Sequence, residues 1–337
     1  MDDLKLYGKS QSEIESLLNT VRIFSSDIAM EFGLDKCAAL IMNRGKITKT
    51  EGIELPNGSK IKNLEEKEHY KYLGILQADN IAHTEVKRKI GSEYIRRVRK
   101  ILKSKLNGRN TIQAINTWAI PVIRYTAGII DWTQAELETL DRKTRIIMTI
   151  NHALHPHSDV DRLYLPRSSG GRGMLQVHQT VEEEKRGLEE YIKDSEEDAL
   201  QMVNNAKLFN TNERKQAYKK ERVKNRAEKW KNKPLHGQYL HNISGKSDIT
   251  KTWQWLKNGN LKKETEGLIL AAQEQALRTN AIRAKVKKST TNSKCKEADE
   301  TLMKVKMKLC KEADETVDHL ISCCKKIAQT DYKQRHD

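Results

Sequence analysis

Two adjacent carboxylates, Asp2 and Asp3, stand at the head of an alternating run, Leu4-Lys5-Leu6-Tyr7, that reads as a short strand. Like charges that close repel unless a cation sits between them, so the pair is either a solvated acidic end or part of a metal site. Reactive side chains gather again at the other end, where four of the five cysteines follow residue 290. They do not look like a disulfide framework and fit a reducing, intracellular compartment, nuclear or cytoplasmic. Between these ends, His152, His155 and His157 are near neighbours, but no cysteine accompanies them and no helix aligns them as metal ligands. Gly170-Gly171-Arg172-Gly173 could cradle a phosphate. No Lys-Ser/Thr opens a helix behind it, so a tight turn between strand-like segments is the better reading.

Composition bounds what such groups could serve. Over 337 residues, 62 basic side chains face 46 acidic ones, a net charge of +16. That excess favours a polyanionic partner, nucleic acid before membrane. No apolar run reaches the roughly 18 residues of a membrane span, and no apolar signal core follows Met1. Hydrophobic residues make up 37% and aromatics 5%, which predicts a thin, mostly aliphatic core divided over two or three domains.

The elements that must position these groups fall into an α+β portion followed by a helical one. Ser10 and Glu13 have capping-box spacing ahead of Ile14, Leu17, Leu18, Val21, Phe24 and Ile28, with Gly33 as the expected left-handed end. Cys37 to Met42 reads as a buried strand, Pro56-Asn57-Gly58-Ser59 as a hairpin turn, and Tyr70 to Leu76 as a closing strand. A basic helix is expected over about 84–106, carrying Arg96, Arg97 and Lys100 among its cations. Thr133 and Glu136 open another, after the apolar segment Ile112–Ile130. Long helices are expected over 177–206 and 211–232, then shorter ones near Trp253 and over 264–282. Between Asn205 and Pro234 there are eleven Lys/Arg and three Glu, half of the net charge, and the apolar residues (Leu208, Tyr218, Val223, Trp230) are too few for a buried face. Such a one-signed helix is either solvated or attracted to phosphates without regard to sequence, through Arg214, Lys215, Lys219 and Lys220. In the tail, Cys-Lys-Glu-Ala-Asp-Glu-Thr occurs at 295–301 and again at 310–316, a local duplication with an offset of fifteen.

In their order and spacing, Met1-Asp2-Asp3, Phe32-Gly33-Leu34-Asp35-Lys36-Cys37 and Tyr72-Leu73-Gly74 resemble the reverse transcriptases of non-LTR (LINE-like) retrotransposons. The nearest likeness is to elements whose polymerase is followed by a cysteine/histidine finger and a restriction-like endonuclease. The likeness runs on through Leu163-Tyr164-Leu165-Pro166-Arg167 and Gly170-Gly171-Arg172-Gly173 into the tail. It implies that Asp2 and Asp3 end the Tyr/Phe-x-Asp-Asp turn that holds catalytic Mg²⁺. Lys36 would lie near the phosphates of the incoming nucleotide, and Tyr72, Leu73 and Gly74 would form the primer grip. Two Mg²⁺ ions about 4 Å apart, held by hard oxygen ligands, activate the primer hydroxyl and steady the leaving pyrophosphate in such enzymes. The partners implied are an RNA template and a DNA primer or target.

The family's finger has the form Cys-x2-Cys-x8-His-x4-Cys. Cys310, His319 and Cys324 fit its last three positions, and the first falls on Met307. Cys295 is then the candidate for a first ligand displaced by the duplication, with Cys323 an alternative neighbour of Cys324. A zinc site from Cys295, Cys310, His319 and Cys324 is chemically sound but has a long first loop, and the alternative is a degraded finger that holds no zinc. The resemblance divides the chain into the end of a palm with its primer grip (1–80), a helical thumb (81–152), a basic helical linker (153–290) and a degenerate finger-like tail (291–337). It also places a further metal-binding aspartate and the fingers before this turn, and an endonuclease behind the tail. The chain alone is therefore expected to lack polymerase activity. The competing expectations are a non-enzymatic basic nucleic-acid-binding remnant and a helical interaction module.

Overall fold

The computed structural model describes residues 4–30, 33–48, 50–65, 68–206, 214–243, 245–295, 310 and 313–325. The chain divides into two compact units, Met1–Ile90 and Gly91–Asp337. It combines helices with a few short antiparallel strand pairs, an α+β composition.

The first unit opens with helix α1 (Gln11–Asp27), whose Ser10 hydroxyl accepts from the Glu13 N–H while the Glu13 carboxylate takes the Lys9 N–H. Exchange of both bonds would be a full capping box; here the acid reaches one residue further back. Helix α1 stops earlier than expected. Ala29, not Gly33, takes the left-handed conformation at φ 55°, and Gly33 sits at φ −74°. The expected strand Cys37–Met42 is also corrected. Only Ala39 bridges, to Asn63, and the paired strands are β1 (Met42–Asn43) with β2 (Lys46–Ile47). Strands β3 (Ile53–Glu54) and β4 (Lys60–Ile61) flank the expected turn, in which Gly58 has φ 78° and Leu55 N–H reaches Ser59 O at 2.8 Å. The closing strand is in fact a hairpin, β5 (Tyr70–Tyr72) against β6 (Ile75–Gln77). Its two-residue turn puts Leu73 at φ 47° and Gly74 at φ 80°, the twist that suits a tight hairpin. The core beneath is small: Ala39, Leu55 and Ile61, with Leu18, Leu34, Cys37 and Ile53 around them.

Helix α2 (His83–Lys103) crosses the boundary between the units. In the second unit it is followed by α3 (Gly108–Ala114), a π-helical turn (Ile115–Ala119) and α4 (Ile120–Arg124). Helix α5 (Gln134–Ile150) starts at the complete Thr133/Glu136 capping box that the sequence predicts. Their apolar faces make the principal core, with Val98, Ile115, Ile120, Ile123, Ile130, Leu137 and Met148 all buried. Within it, Tyr94 Oη meets Thr144 Oγ1 at 2.9 Å, so the buried hydroxyls satisfy each other.

Helix α6 (Val160–Tyr164) leads into a 3₁₀ turn at Arg167–Ser169 and the glycine loop. The long helix expected over 177–206 is broken at Ser195-Glu196-Glu197 into α7 (Val177–Asp194) and α8 (Asp198–Asn205). Helix α9 (Lys215–Lys231) corrects a further expectation, because it does have a buried face. Trp230 is buried with Leu165, Trp253, Leu256 and Leu270, and Val223 and Ala227 pack beside it. Three apolar residues suffice because charge does the rest. Arg222 pairs with Glu183, Lys215 with Glu184 at 3.3 Å, and Arg226 faces Asp161 at 3.7 Å.

Helices α10 (Gln238–Ile243), α11 (Ile249–Thr252) and α12 (Gln254–Asn258) lead to α13 (Lys263–Gln273). The helix expected over 264–282 is two: Gln275 turns left-handed at φ 54°, and Thr279 caps α14 (Asn280–Lys285). Residues far apart in sequence close this unit. Lys263 Nζ donates to the carbonyls of Leu102 and Ser104 at the end of α2, and Gly108 N–H donates to Leu261 O at 2.9 Å. No helix among the described residues is long and apolar enough to cross a membrane.

Candidate metal centre

The cysteine-rich tail is built on a short ladder. Cys295 N–H donates to Ala313 O and Glu315 N–H to Ser293 O, each at 2.9 Å, around a bridge between Lys294 and Asp314. This pairing lays the start of the first copy of the duplicated segment alongside the second. Cys295 is thereby carried to Cys310, fifteen positions away. A π-helical turn, His319–Cys323, then swings back, pinned by His319 N–H to Thr316 Oγ1 at 3.1 Å. The ligand atoms of Cys295, Cys310, His319 and Cys324 all lie within 4.8 Å of one another. Cys310 Sγ and His319 Nε2 are 3.2 Å apart. Cys295 and Cys324 are fully buried, His319 nearly so, and Leu320 covers the cluster.

The donor set suits a closed tetrahedral zinc site, three thiolates and one imidazole, whose ligand atoms would stand about 3.8 Å apart around a Zn²⁺ at about 2.3 Å. Burial pushes the Cys295 thiol up to about 12, with Cys324 and Cys310 adding to the rise. A buried thiolate therefore needs a cation, and a bound Zn²⁺ would displace the protons. The centre could hold a metal such as zinc. Bound there, the ion would cross-link the chain segments that the Cys295–Ala313 ladder brings together. The side chain of Cys323 lies outside the described residues.

The tail also binds the helix that precedes it. Asn280 N–H donates to Glu315 Oε1 at 3.0 Å, Asn280 Nδ2 to Glu315 Oε2 at 2.9 Å, and Lys285 Nζ to Asp314 Oδ2 at 2.7 Å. The second copy of the duplicated segment thus clamps α14 beside the cluster.

The remaining candidates are distributed differently. Asp2 and Asp3 lie outside the described residues. Lys36 ends the 3₁₀ turn Leu34–Lys36, and its carbonyl accepts from Tyr70 Oη at 2.7 Å, tying it to the hairpin that bears Tyr72, Leu73 and Gly74. On α2, Arg96 and Arg97 both bind Glu93, at 2.6 and 2.7 Å, and their guanidinium groups hold its carboxyl at about 2. Arg97 also stacks on Trp118, while Lys100 is exposed. On α9, Arg214 is the residue before the first turn, Lys215 is committed to Glu184, and Lys219 and Lys220 face solvent.

Sequence reasoning missed a buried charge network behind the glycine loop. Arg167 and Arg172 both bind Glu266, at 2.9 and 3.0 Å, and Arg162 meets Glu274 at 3.4 Å between Trp230 and Trp253. Arg162 also donates to Gly170 O at 2.9 Å, which fixes the loop. Burial lowers the Arg162 guanidinium to about 10, so it stays charged at neutral pH. The loop is thus a turn without a P-loop helix behind it, and helix α6 and a 3₁₀ turn precede it in place of the expected strand-like segment. No local signal pairs these arginines with glutamates about a hundred residues later. Among the described residues, the histidines at 152, 155 and 157 form no metal cluster.

No protein-family model matches the chain, and no curated protein matches it.

Proposed function

We propose that this chain is the palm-end, thumb and linker portion of the reverse transcriptase of a non-LTR retrotransposon, closed by a zinc-binding tail. The observation that supports this reading is the convergence of Cys295 with Cys310, His319 and Cys324. Those four were assigned through the family's finger pattern, with the first ligand displaced by a duplication, and such an assignment has little reason to yield a compact donor set unless the pattern applies.

On this reading nucleotidyl transfer belongs to the longer protein, with Asp2 and Asp3 among its Mg²⁺ ligands. Lys36 would neutralise charge on the incoming triphosphate, and the Tyr72-Leu73-Gly74 hairpin would hold the primer end. The chain's own task is to bind nucleic acid. Its exposed cations, Lys100, Lys219 and Lys220 among them, exchange counterions for phosphates, which gives a steep dependence on salt.

The test is the genomic DNA before the Met1 codon. The expected result is an open frame running back through Tyr or Phe and a fingers–palm sequence. Joined to this chain, its product should extend a DNA primer on RNA with Mg²⁺, and Asp2→Ala should abolish that. A joined protein inert to primer and template, or an in-frame stop directly before the codon, overturns the polymerase reading. Salt-dependent binding without extension would leave a basic nucleic-acid-binding protein.

A further inference from the structure

Five cation-forming side chains from four parts of the second unit meet on one surface. His155 and His157 come from the loop after α5, with ring centroids 5.8 Å apart. Lys287 approaches from beyond α14, its Nζ 3.0 Å from His157 Nε2. Arg278, ahead of α14, acts on both rings, and His236, from the turn after α9, acts on His157. Arg278 and Lys287 are exposed, and neither has a carboxylate partner among the described residues.

Elsewhere in the unit several cations are met by acids, as Lys233 is by Asp159 and Asp161 and Arg222 by Glu183. Lys287 donates to His157 Nε2, so that imidazole is held neutral with its remaining proton on Nδ1. Burial, then the positive neighbours, hold both His155 and His157 below the ordinary histidine range. The carboxylate that acts on His236 is Glu274. It is buried and engaged by Arg162, while its own carbonyl contacts His236 Nδ1 at 2.9 Å. Two exposed cations beside two imidazole rings, one exposed and one half-buried, are the complement of an anion with several acceptor oxygens.

We propose that His155, His157, His236, Arg278 and Lys287 form a phosphate-binding site that takes one backbone phosphate of a bound nucleic acid. The assignment to nucleic acid rests on the function proposed above; the phosphate chemistry does not. An anion there would favour the imidazolium forms, so binding takes up protons.

The zinc-loaded full chain would be titrated with inorganic phosphate, followed by the histidine ring proton resonances, and with an oligouridylate of about ten nucleotides, followed by fluorescence anisotropy over a range of salt. Phosphate should move the His155 and His157 titrations upward. Arg278→Ala with Lys287→Ala should weaken phosphate binding at least about tenfold and take about 0.7, the share of one phosphate on a single strand, from the logarithmic salt slope of the oligonucleotide. Both residues are exposed, so the fold should be retained, and unchanged Trp fluorescence would verify it. If phosphate binds and the oligonucleotide does not, the site stands for free phosphate and the nucleic-acid reading fails. If the oligonucleotide binds the double variant with an undiminished slope and phosphate moves neither histidine, the site is refuted while that reading survives.

Discussion

The loop around Arg162, Arg167 and Arg172 and the tail around Cys295 solve one problem by different means. Each joins segments distant in sequence through polar groups shut away from water. The loop carries both signs of charge: Glu266 receives Arg167 and Arg172, and Glu274 receives Arg162. The tail brings together three thiols and an imidazole, a donor set for a single metal ion. A buried ion network is complete when the chain folds, whereas a set of thiols becomes a cross-link only with a cation. The middle of the second unit should therefore be stable without any ligand, and its end should respond to metal.

Several substitutions and conditions would break or sharpen this contrast. The largest effect is expected from Glu266→Ala. It strands the buried Arg172 and the half-buried Arg167 guanidinium groups and should cost about 3–5 kcal/mol, read from urea unfolding by Trp fluorescence. Near-native stability would show that the network is not what holds the loop. Next is Gly108→Ala, whose new Cβ would lie 2.6 Å from the Glu266 carboxylate. Overpacking against this fixed group should cost about 1–3 kcal/mol in the same assay.

At the tail, metal affinity should rise with pH. The Cys295 thiol, raised to about 12 in the metal-free protein, is protonated at neutral pH and must lose its proton to bind. That ligand alone predicts roughly tenfold tighter zinc binding per pH unit below its titration, a slope of about 1.4 kcal/mol per unit. Calorimetry in buffers of different ionisation enthalpy would count the protons released. Absence of any release would argue against thiolate ligation. Chelation should change the unfolding free energy of the Trp-monitored core by less than about 1 kcal/mol, while removing hydrogen-exchange protection from the Cys295–Ala313 ladder. A core that melts with the chelator would collapse the distinction between the two regions. The smallest effect on stability, within about 0.5 kcal/mol, is expected from Lys219→Ala with Lys220→Ala, since both face solvent. On the proposed function, their loss should also lower the salt slope of nucleic-acid binding.

Charge also separates two stretches that look alike in sequence. Helix α9 carries much of the positive excess, yet Lys215, Arg222 and Arg226 serve to dock it on acids of α6 and α7. Its apolar side, Val223, Ala227 and Trp230, was too sparse to announce a buried face, because the cluster it joins is completed by Trp253, Leu256 and Leu270 from later helices. The same limit applies to the first unit. Asn57-Gly58 specifies its turn locally, while the expected strand at Cys37–Met42 has almost no partner to pair with, and a strand without a partner does not form.

What the sequence determined by itself is what acts over a few residues. The Thr133/Glu136 cap, the Asn57-Gly58 hairpin and the Cys310-x8-His319-x4-Cys324 spacing each follow from groups that reach each other within a turn or two of chain. Only the tertiary structure decided which cations are spent on acids and which stay open. It also decided that Arg278 and Lys287 face His155 and His157, and that Cys295 completes the donor set. The physical reason is the same in each case. A charge or a thiol acquires its role from the groups that burial places against it, and those come from parts of the chain whose return is set by packing, not by spacing.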